Sequence, residues 1–334
     1  MTLALIAVAV WCIVRGWGGL GALLGVVFLI LAWTLRPRLA RLPKDGHTFR
    51  REDAPALHSL IDEVAEVAGT RGVDVIVVDT DLNASVMTCG LRGQRVLTLG
   101  LPLWEMLRPQ QRVALLGHEL GHYSNGDTRR GLIVATAYRS LLTWRYFLAP
   151  TADPTPAEMA VNLVHLVPRA LIRGVLLVLD RLTSRVARRG EYAADSFASR
   201  AGSTDAAVEL MDRLLIAESA ATTLRREANK PRGGRRDPSR AEEGAERLWE
   251  ILAGDVESIP EREYERRRRV GAAREHRVDS SHPPTHLRRE RLLACPSAPA
   301  AVVMSDDHER RISGELAVVR RLLAEELIRN GFDG

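Results

Sequence analysis

The chain has 334 residues, of which 46% are hydrophobic and 27% charged, and its formal net charge is +5. This length is sufficient for one large or two modest domains with a substantial core. The cysteines, Cys12, Cys89 and Cys295, form no C-x-x-C pair, which argues against a disulfide framework and a cysteine zinc site. They favour a reducing compartment for the soluble part. No basic segment interleaves aromatic residues as nucleic-acid-binding modules do, so we expect no nucleic-acid partner.

Two apolar runs lie near the start of the sequence, at 2–14 and 20–35, with Arg15 and a glycine-rich break between them. A cationic flank follows: Arg36, Arg38, Arg41 and Lys44. The second run approaches membrane length, and such a flank is typical of the cytoplasmic side. We therefore predict a transmembrane hairpin over residues 1–36. Because the first run is short for a span, one span plus an interfacial helix is the alternative, and a buried core hairpin is a third interpretation.

Residues 52–68 carry apolar side chains at helical spacing and predict a helix closed by Gly69. Three strands are predicted next, over 73–78, 83–89 and 95–99, and a short helix over 101–107. The last two strands are joined by a turn from Gly90 to Gly93. We expect a small antiparallel sheet, and its open edge can accept an extended peptide by strand addition. A purely structural meander is the alternative.

Residues 111–122, QRVALLGHELGH, place an H-E-x-x-H pattern on a predicted helix that Asn125-Gly126 ends. His118 and His122 project from one face of this helix and can hold one Zn²⁺ at about 2.0–2.1 Å. Glu119 is rotated too far round to be a third ligand. It can still reach a water bound to the metal, which predicts a general base. The alternative is a chance pentapeptide in an ordinary amphipathic helix.

Residues 129–150 and 159–182 are long and largely apolar, but both contain charges that make them poor isolated spans. In the second stretch, four polar residues fall on one helix face: His165, Arg169, Arg173 and Asp180. Arginines flank the pair, whereas the connection at 149–158 has no lysine or arginine. This asymmetry favours a second membrane hairpin over 130–182. Two long helices of a soluble domain are the alternative.

Glu191 and Asp195 stand four positions apart in a helical segment that continues to about residue 224. Taken alone, they are a commonplace solvated acidic pair. Together with H-E-x-x-H they indicate a third metal ligand, because two histidines and a glutamate are one of the known ligand sets of hydrolytic zinc. Asp195, one turn further, can accept the free ring N–H of a ligand histidine and fix its tautomer.

Residues 225–280 are rich in Arg, Glu, Gly and Pro, and they predict a charged, partly disordered, surface-exposed insertion with one short helix near Trp249. The arginine run at 266–269 can contact anionic lipid head groups or belong to a solvated linker. The last part of the chain, 281–334, contains a predicted helix over 315–327.

Three separated motifs resemble one family: HELGHYSNGD at 118–127, EYAAD at 191–195 and SHPPTHLRR at 281–289. The sequence resembles the membrane-associated gluzincin metallopeptidases, which include the bacterial HtpX-like proteases and the eukaryotic CAAX prenyl proteases. The resemblance covers roughly residues 45–295. It implies an α+β, mainly α, zincin-type catalytic domain over 45–224, completed by 281–334, with one Zn²⁺ per chain.

The resemblance also implies roles for individual residues. The zinc ligands would be His118, His122 and Glu191, with Glu119 as the general base and Asp195 as the partner of a ligand histidine. Substrate backbone would be held by the edge-strand segment Asn83-Ala84. His282 and Arg288 match an H-P-P…R element near the active site that orients a ligand or substrate. The chain departs from the family pattern in its arginine-rich insertion and its arginine-bearing middle hairpin.

The sequence as a whole predicts a membrane-anchored zinc endopeptidase of membrane, membrane-proximal or misfolded polypeptides. We expect a multi-pass protein of the cell membrane whose catalytic domain lies on the cytoplasmic side, with lipid bilayer and polypeptide substrate as partners. A membrane-tethered regulator that keeps the zincin fold for binding is one alternative, although an intact catalytic set argues against it because a binding module has no need of the base. A zinc aminopeptidase is the other. The oligomeric state is not indicated.

Overall fold

The computed structural model describes residues 2–15, 19–34, 42, 46–90, 92–124, 137–138, 140–151, 154–230, 238–274 and 283–332. The chain divides into two compact units. The first comprises Met1–Ala40 and Arg129–Arg185, and the second comprises Arg41–Thr128 and Val186–Gly334.

The first unit consists of apolar helices. Helices α1 (Thr2–Arg15) and α2 (Leu20–Thr34) match the two predicted apolar runs. They pack closely, since a Cβ built on Gly25 of α2 would lie 2.9 Å from the carbonyl oxygen of Ala9. Residues 140–147 are helical, and they precede α6 (Pro156–Val164) and the first part of α7 (Leu166–Gly202).

Within the described part of the chain, no single helix is both long enough and apolar enough to cross a membrane. Helices α6 and α7, bent by 44° at the break between them, meet both criteria only as a pair. The pair leaves a row of large apolar side chains exposed: Leu163, Val167, Leu171, Val178 and Leu182. On another side of the pair, Arg169 donates to Asn162 Oδ1 at 2.8 Å and to the carbonyl of Leu148. The transmembrane character of 1–36 and 130–182 stays a prediction.

The second unit contains a four-stranded sheet. Its strands are β1 (His47–Phe49), β2 (Val75–Asp79), β3 (Ala84–Cys89) and β4 (Gln94–Gly100), in the order β1-β2-β4-β3. The expected antiparallel sheet is wrong in one pairing, because β2 and β4 run parallel and the sheet is mixed. Glycines with positive φ at Gly90 and Gly93 let β4 fold back beside β3. Strand β4 then fills the place next to β2, which leaves β3 at the edge.

Ten helices or helix segments of the second unit are described. They are α3 (Pro55–Val67), α4 (Leu101–Glu105), α5 (Pro109–Ser124), the end of α7, α8 (Thr204–Leu215), α9 (Ala217–Ala228), α10 (Pro238–Glu257), α11 (Glu261–Arg274), α12 (Thr285–Ala294) and α13 (Asp306–Asn330). Their apolar faces share one core with the sheet. Glu315 of α13 accepts from the N–H groups of Ala56 and Leu57, and so caps α3 from a distant part of the sequence.

Within the segment predicted as a charged, partly disordered insertion with one short helix, two helices are described, α10 (Pro238–Glu257) and α11 (Glu261–Arg274). Leu248, Trp249 and Leu252 are almost fully buried in the core of the second unit. A stripe of apolar residues at helical spacing is sufficient to bury one face of a helix, even when the average composition is charged. The arginine run is also engaged within the protein, because Arg267 contacts Glu218 at 2.9 Å and Arg268 contacts Asp212 at 2.6 Å.

Candidate metal centre

Helices α5 and α7 cross with their backbones in close approach. A Cβ built on Gly121 of α5 would lie 2.9 Å from the Cα of Ala194, and one on Gly117 would lie 3.0 Å from the Cα of Ala198. Small residues spaced four apart on both helices make this crossing possible. The glycine within H-E-L-G-H is therefore required by packing, and the crossing brings α7 against the two histidines.

His118, His122 and Glu191 converge at this crossing. Each offers one ligand atom, and these atoms lie within 4.8 Å of one another. His118 Nε2 is 3.5 Å from Glu191 Oε2, and His122 Nε2 is 3.6 Å from Glu191 Oε1. Two donors that bind a tetrahedral ion at about 2.0–2.1 Å stand about 3.3 Å apart. The three side chains predicted as ligands are thus spaced to hold one metal ion.

Asp195 and Arg288 lie beside His118, and Arg288 Nη2 is 3.1 Å from Nδ1 and 3.2 Å from Nε2 of this ring. His118 Nδ1 lies 3.1 Å from Asp195 Oδ1, so an Nδ1–H can donate to this carboxylate and leave Nε2 as the ligand atom. Arg288 of α12 donates two hydrogen bonds to the same carboxylate, from Nε to Oδ2 at 2.9 Å and from Nη2 to Oδ1 at 2.6 Å. The predicted role of Asp195 as partner of a ligand histidine agrees with this geometry.

Burial and pairing set the protonation states around His118. Burial, which outweighs the hydrogen bond to Asp195, lowers the pKa of His118 to about 4. The neutral imidazole that results is the form that binds metals. Burial by itself would raise the pKa of Asp195, but hydrogen bonds from His118 and Arg288 prevail and lower it to about 2. Asp195 is therefore an ionised acceptor that holds its neighbours in place.

Glu119 lies buried beside the ligand set. Burial, and then the charge of Glu191, raise the pKa of Glu119 to about 8. A carboxylate with an elevated pKa is suited to proton transfer near neutral pH.

Asn83 and Ala84 stand at the start of the edge strand, and the structure distinguishes them. The carbonyl of Asn83 accepts from the N–H of Gly100 at 2.8 Å, so the backbone of Asn83 faces β4. Backbone groups alternate in direction along an antiparallel strand. The N–H and C=O groups of Ala84, Val86 and Thr88 therefore face the outer edge, where an extended peptide can pair.

Arg288 lies at the ligand set, with its Nη1 3.6 Å from Glu191 Oε2, and its expected role in orienting a ligand or substrate stays a prediction. Its side chain is buried and bonded to Asp195. In this position Arg288 holds Asp195, the partner of a ligand histidine, in place. His282 lies outside the described residues. Sequence reasoning missed the close helix crossing, although the small-x-x-x-small spacing at Gly117/Gly121 and Ala194/Ala198 was a signal for it.

Comparison with known proteins assigns the chain to a family. The family model "Peptidase family M48" matches residues 51–295, which include both histidines, Glu119, Glu191, Asp195 and Arg288. The chain belongs to Peptidase family M48. The resemblance drawn from the three motifs is confirmed.

Three curated relatives of this M48 member bear the name "Protease HtpX homolog". The protein of Methanothermobacter thermautotrophicus is 25% identical over 176 residues, covering 52% of this chain and 64% of its own. That of Methanocaldococcus jannaschii is 21% identical over 154 residues, covering 43% and 54%. That of Pyrococcus abyssi is 23% identical over 155 residues, covering 45% and 52%. The matched region thus spans about half to two-thirds of the length of these relatives.

Among solved structures, Ste24p of S. mikatae matches with a TM-score of 0.36 and 12% identity, over 87% of this chain and 63% of that one.

Proposed function

We propose that this M48 family member is a zinc-dependent endopeptidase attached to a membrane. The observation that carries the proposal is the convergence of His118, His122 and Glu191 at ligand spacing, with the buried Glu119 beside them. These three side chains would hold the zinc ion. Bound there, zinc supplies Lewis-acid chemistry that lowers the pKa of water to about 7 and polarises a carbonyl oxygen.

The residues of the chain divide the remaining work. Glu119 takes a proton from the attacking water and delivers it to the amine nitrogen of the leaving peptide. Asp195 holds the Nδ1–H of His118, which keeps Nε2 unprotonated and oriented. Arg288 fixes Asp195 through two hydrogen bonds and balances its charge.

The substrate is an extended polypeptide that adds to the outer edge of β3. Ala84, Val86 and Thr88 supply backbone groups to this edge, and backbone pairing makes little demand on side-chain identity. Such recognition suits chains that are unfolded or extended, because a folded protein keeps its backbone groups paired. Membrane, membrane-proximal or misfolded proteins fit this requirement.

Membrane attachment is supported by the first unit. Its exposed apolar side chains include Trp11 and Trp33, 63% and 67% exposed. Exposed apolar surface on this scale is typical of a surface that contacts lipid or protein. Together with the arginines that follow both apolar regions, it favours a bilayer, with the second unit tethered on the cytoplasmic side.

Purified full-length protein in detergent tests the catalytic proposal. We expect wild type to cut unfolded β-casein internally, to contain one zinc per chain, and to stop when 1,10-phenanthroline is added. Glu119→Gln should keep zinc but lose at least about 10²-fold in rate, and Glu191→Ala should lose zinc. The matched control is Glu218→Gln, which changes an exposed carboxylate on α9.

Mass spectrometry of the products separates the alternatives. Removal of single N-terminal residues would indicate an aminopeptidase. Casein binding without cleavage, in protein that contains zinc, would indicate a regulator. Full activity of Glu119→Gln would contradict the assigned base.

Membrane topology is tested by labelling Cys295, which is exposed on the second unit. Cys12 is replaced by serine so that it does not react, and Cys89 is buried. A membrane-impermeant maleimide should label Cys295 only after cells are permeabilised, and a Cys295→Ser variant controls for other thiols. Labelling of intact cells would place the second unit outside. Release of the protein by an alkaline carbonate wash would argue against spanning helices.

A further inference from the structure

Tyr123 connects the helix of the metal centre to the edge of the sheet. It follows His122 directly in the last turn of α5, and its side chain is buried between the helix and the sheet. Consecutive helical residues point about 100° apart. The side chain of Tyr123 therefore projects away from the ligand set, although Tyr123 is bonded through the backbone to the ligand His122.

The hydroxyl of Tyr123 contacts the backbone of both β3 and β4. It accepts from the N–H of Val96 at 3.2 Å and donates to the carbonyl of Met87 at 2.6 Å. The carbonyl of Val96, at 3.1 Å, is a second acceptor for the same proton. The ring is held in addition by the guanidinium of Arg95, 4.5 Å from its centroid. Both strands are thus bonded to one side chain of the metal helix.

The position of β3 matters because it is an edge strand. Strand β4 bonds it on one side, and Met87 is paired there with Val96. On the other side lie the outward-facing groups of Ala84, Val86 and Thr88, with which the proposed substrate pairs. A shift of β3 relative to α5 therefore shifts the bound peptide relative to the metal ligands.

We propose that Tyr123 is a positioning residue that sets the distance between the substrate-binding edge of β3 and the metal centre. This inference rests on the proposed peptidase function. The hydroxyl itself touches neither the ligands nor the outer edge of β3. It acts through Met87 and Val96, whose backbones it ties to the residue next to His122.

The test is Tyr123→Phe in full-length protein, which keeps the ring and removes only the hydroxyl. Deuterium exchange of the amides at 84–88 should become faster. On an eight-residue fluorogenic peptide built around a casein cleavage site, KM should rise by about two- to tenfold, the loss expected for one hydrogen bond. The zinc content should equal that of wild type, and kcat should change less than KM.

Tyr264→Phe is the matched control. The hydroxyl of Tyr264, on α11, accepts from Arg213 Nη1 at 3.1 Å, outside the metal centre. Its removal should leave KM and the exchange at 84–88 unchanged.

Three results would overturn the inference: an unchanged KM with faster exchange, an unchanged exchange rate, or a lower zinc content in Tyr123→Phe. The first would show a purely structural hydroxyl, and the third would place its effect on the metal. If wild type cleaves nothing, the proposed function fails, whereas unchanged exchange rejects the role of Tyr123 alone.

Discussion

Replacing Gly121 with alanine tests whether the close crossing of α5 and α7 builds the metal centre. The new Cβ would lie 2.9 Å from the Cα of Ala194, whereas non-bonded carbons normally stand about 3.5–4.0 Å apart. Because this Cα is backbone, relief requires the helices to separate locally by about 0.6 Å. Alanine is favoured over glycine in a helix by about 1 kcal/mol. Overpacking typically costs about 1–3 kcal/mol, so we expect the free energy of unfolding to fall by up to about 2 kcal/mol.

The larger effect should be on the metal. His122 Nε2 and Glu191 Oε1 are 3.6 Å apart, and a separation of about 0.6 Å would widen this to about 4.2 Å, twice a zinc–ligand bond. Two donors at that distance can share one ion only in a straight line, which a tetrahedral site does not allow. Because metal sites tolerate deviations of about 0.2 Å, we expect zinc affinity to fall at least about tenfold.

The assay is zinc competition against a chromophoric chelator, together with thermal unfolding. Gly314→Ala is the matched control, because a Cβ there meets nothing within 4 Å on α13. It should raise stability by up to about 1 kcal/mol and leave zinc affinity unchanged. If Gly121→Ala binds zinc as tightly as wild type, the close crossing is not what sets the ligand spacing.

Two further predictions concern the core and the arginine-rich segment. Burial, and then the charge of Arg51, lower the pKa of the fully buried His58. Below about pH 6.5 the unfolded state binds a proton at this histidine, whereas the native state does not. The free energy of unfolding should therefore decline as the pH falls below that value. Urea unfolding at pH 5 and 7.5 should show a smaller decline for His58→Leu, and equal declines would refute the assignment. Asp212 accepts from Arg268 at 2.6 Å and from Arg289 at 2.8 Å, so Asp212→Asn should lower the free energy of unfolding in urea by about 1–3 kcal/mol. The control is Asp307→Asn, at an exposed carboxylate paired with Arg310, which should cost under about 1 kcal/mol. Equal costs would mean that the Asp212 cluster is dispensable for stability.

Local patterns predicted much of the fold. Apolar spacing and turn glycines gave approximate positions for α3, α5 and the strands from β2 to β4, because a buried face imposes its period on the sequence. Strand β1 was missed, since three residues are too few to show an alternation. The sequence predicted one short helix near Trp249, but the full length of α10 and the whole of α11 were missed because the charged average composition concealed the apolar stripe. The parallel pairing of β2 with β4 was not predictable from either strand alone, because pairing depends on which edges remain available.

The candidate site shows the same division. The sequence by itself determined which candidate groups share one helix: H-E-x-x-H fixes two imidazoles and a carboxylate there, since their separation follows from the helical repeat. Only the tertiary structure decided that α7 approaches α5 closely enough for Glu191 to lie beside the two histidines. It also decided that Arg288 donates to Asp195 and that the hydroxyl of Tyr123 donates to the backbone of β3. Those contacts join residues far apart in sequence, and their distances depend on how side chains pack between helices.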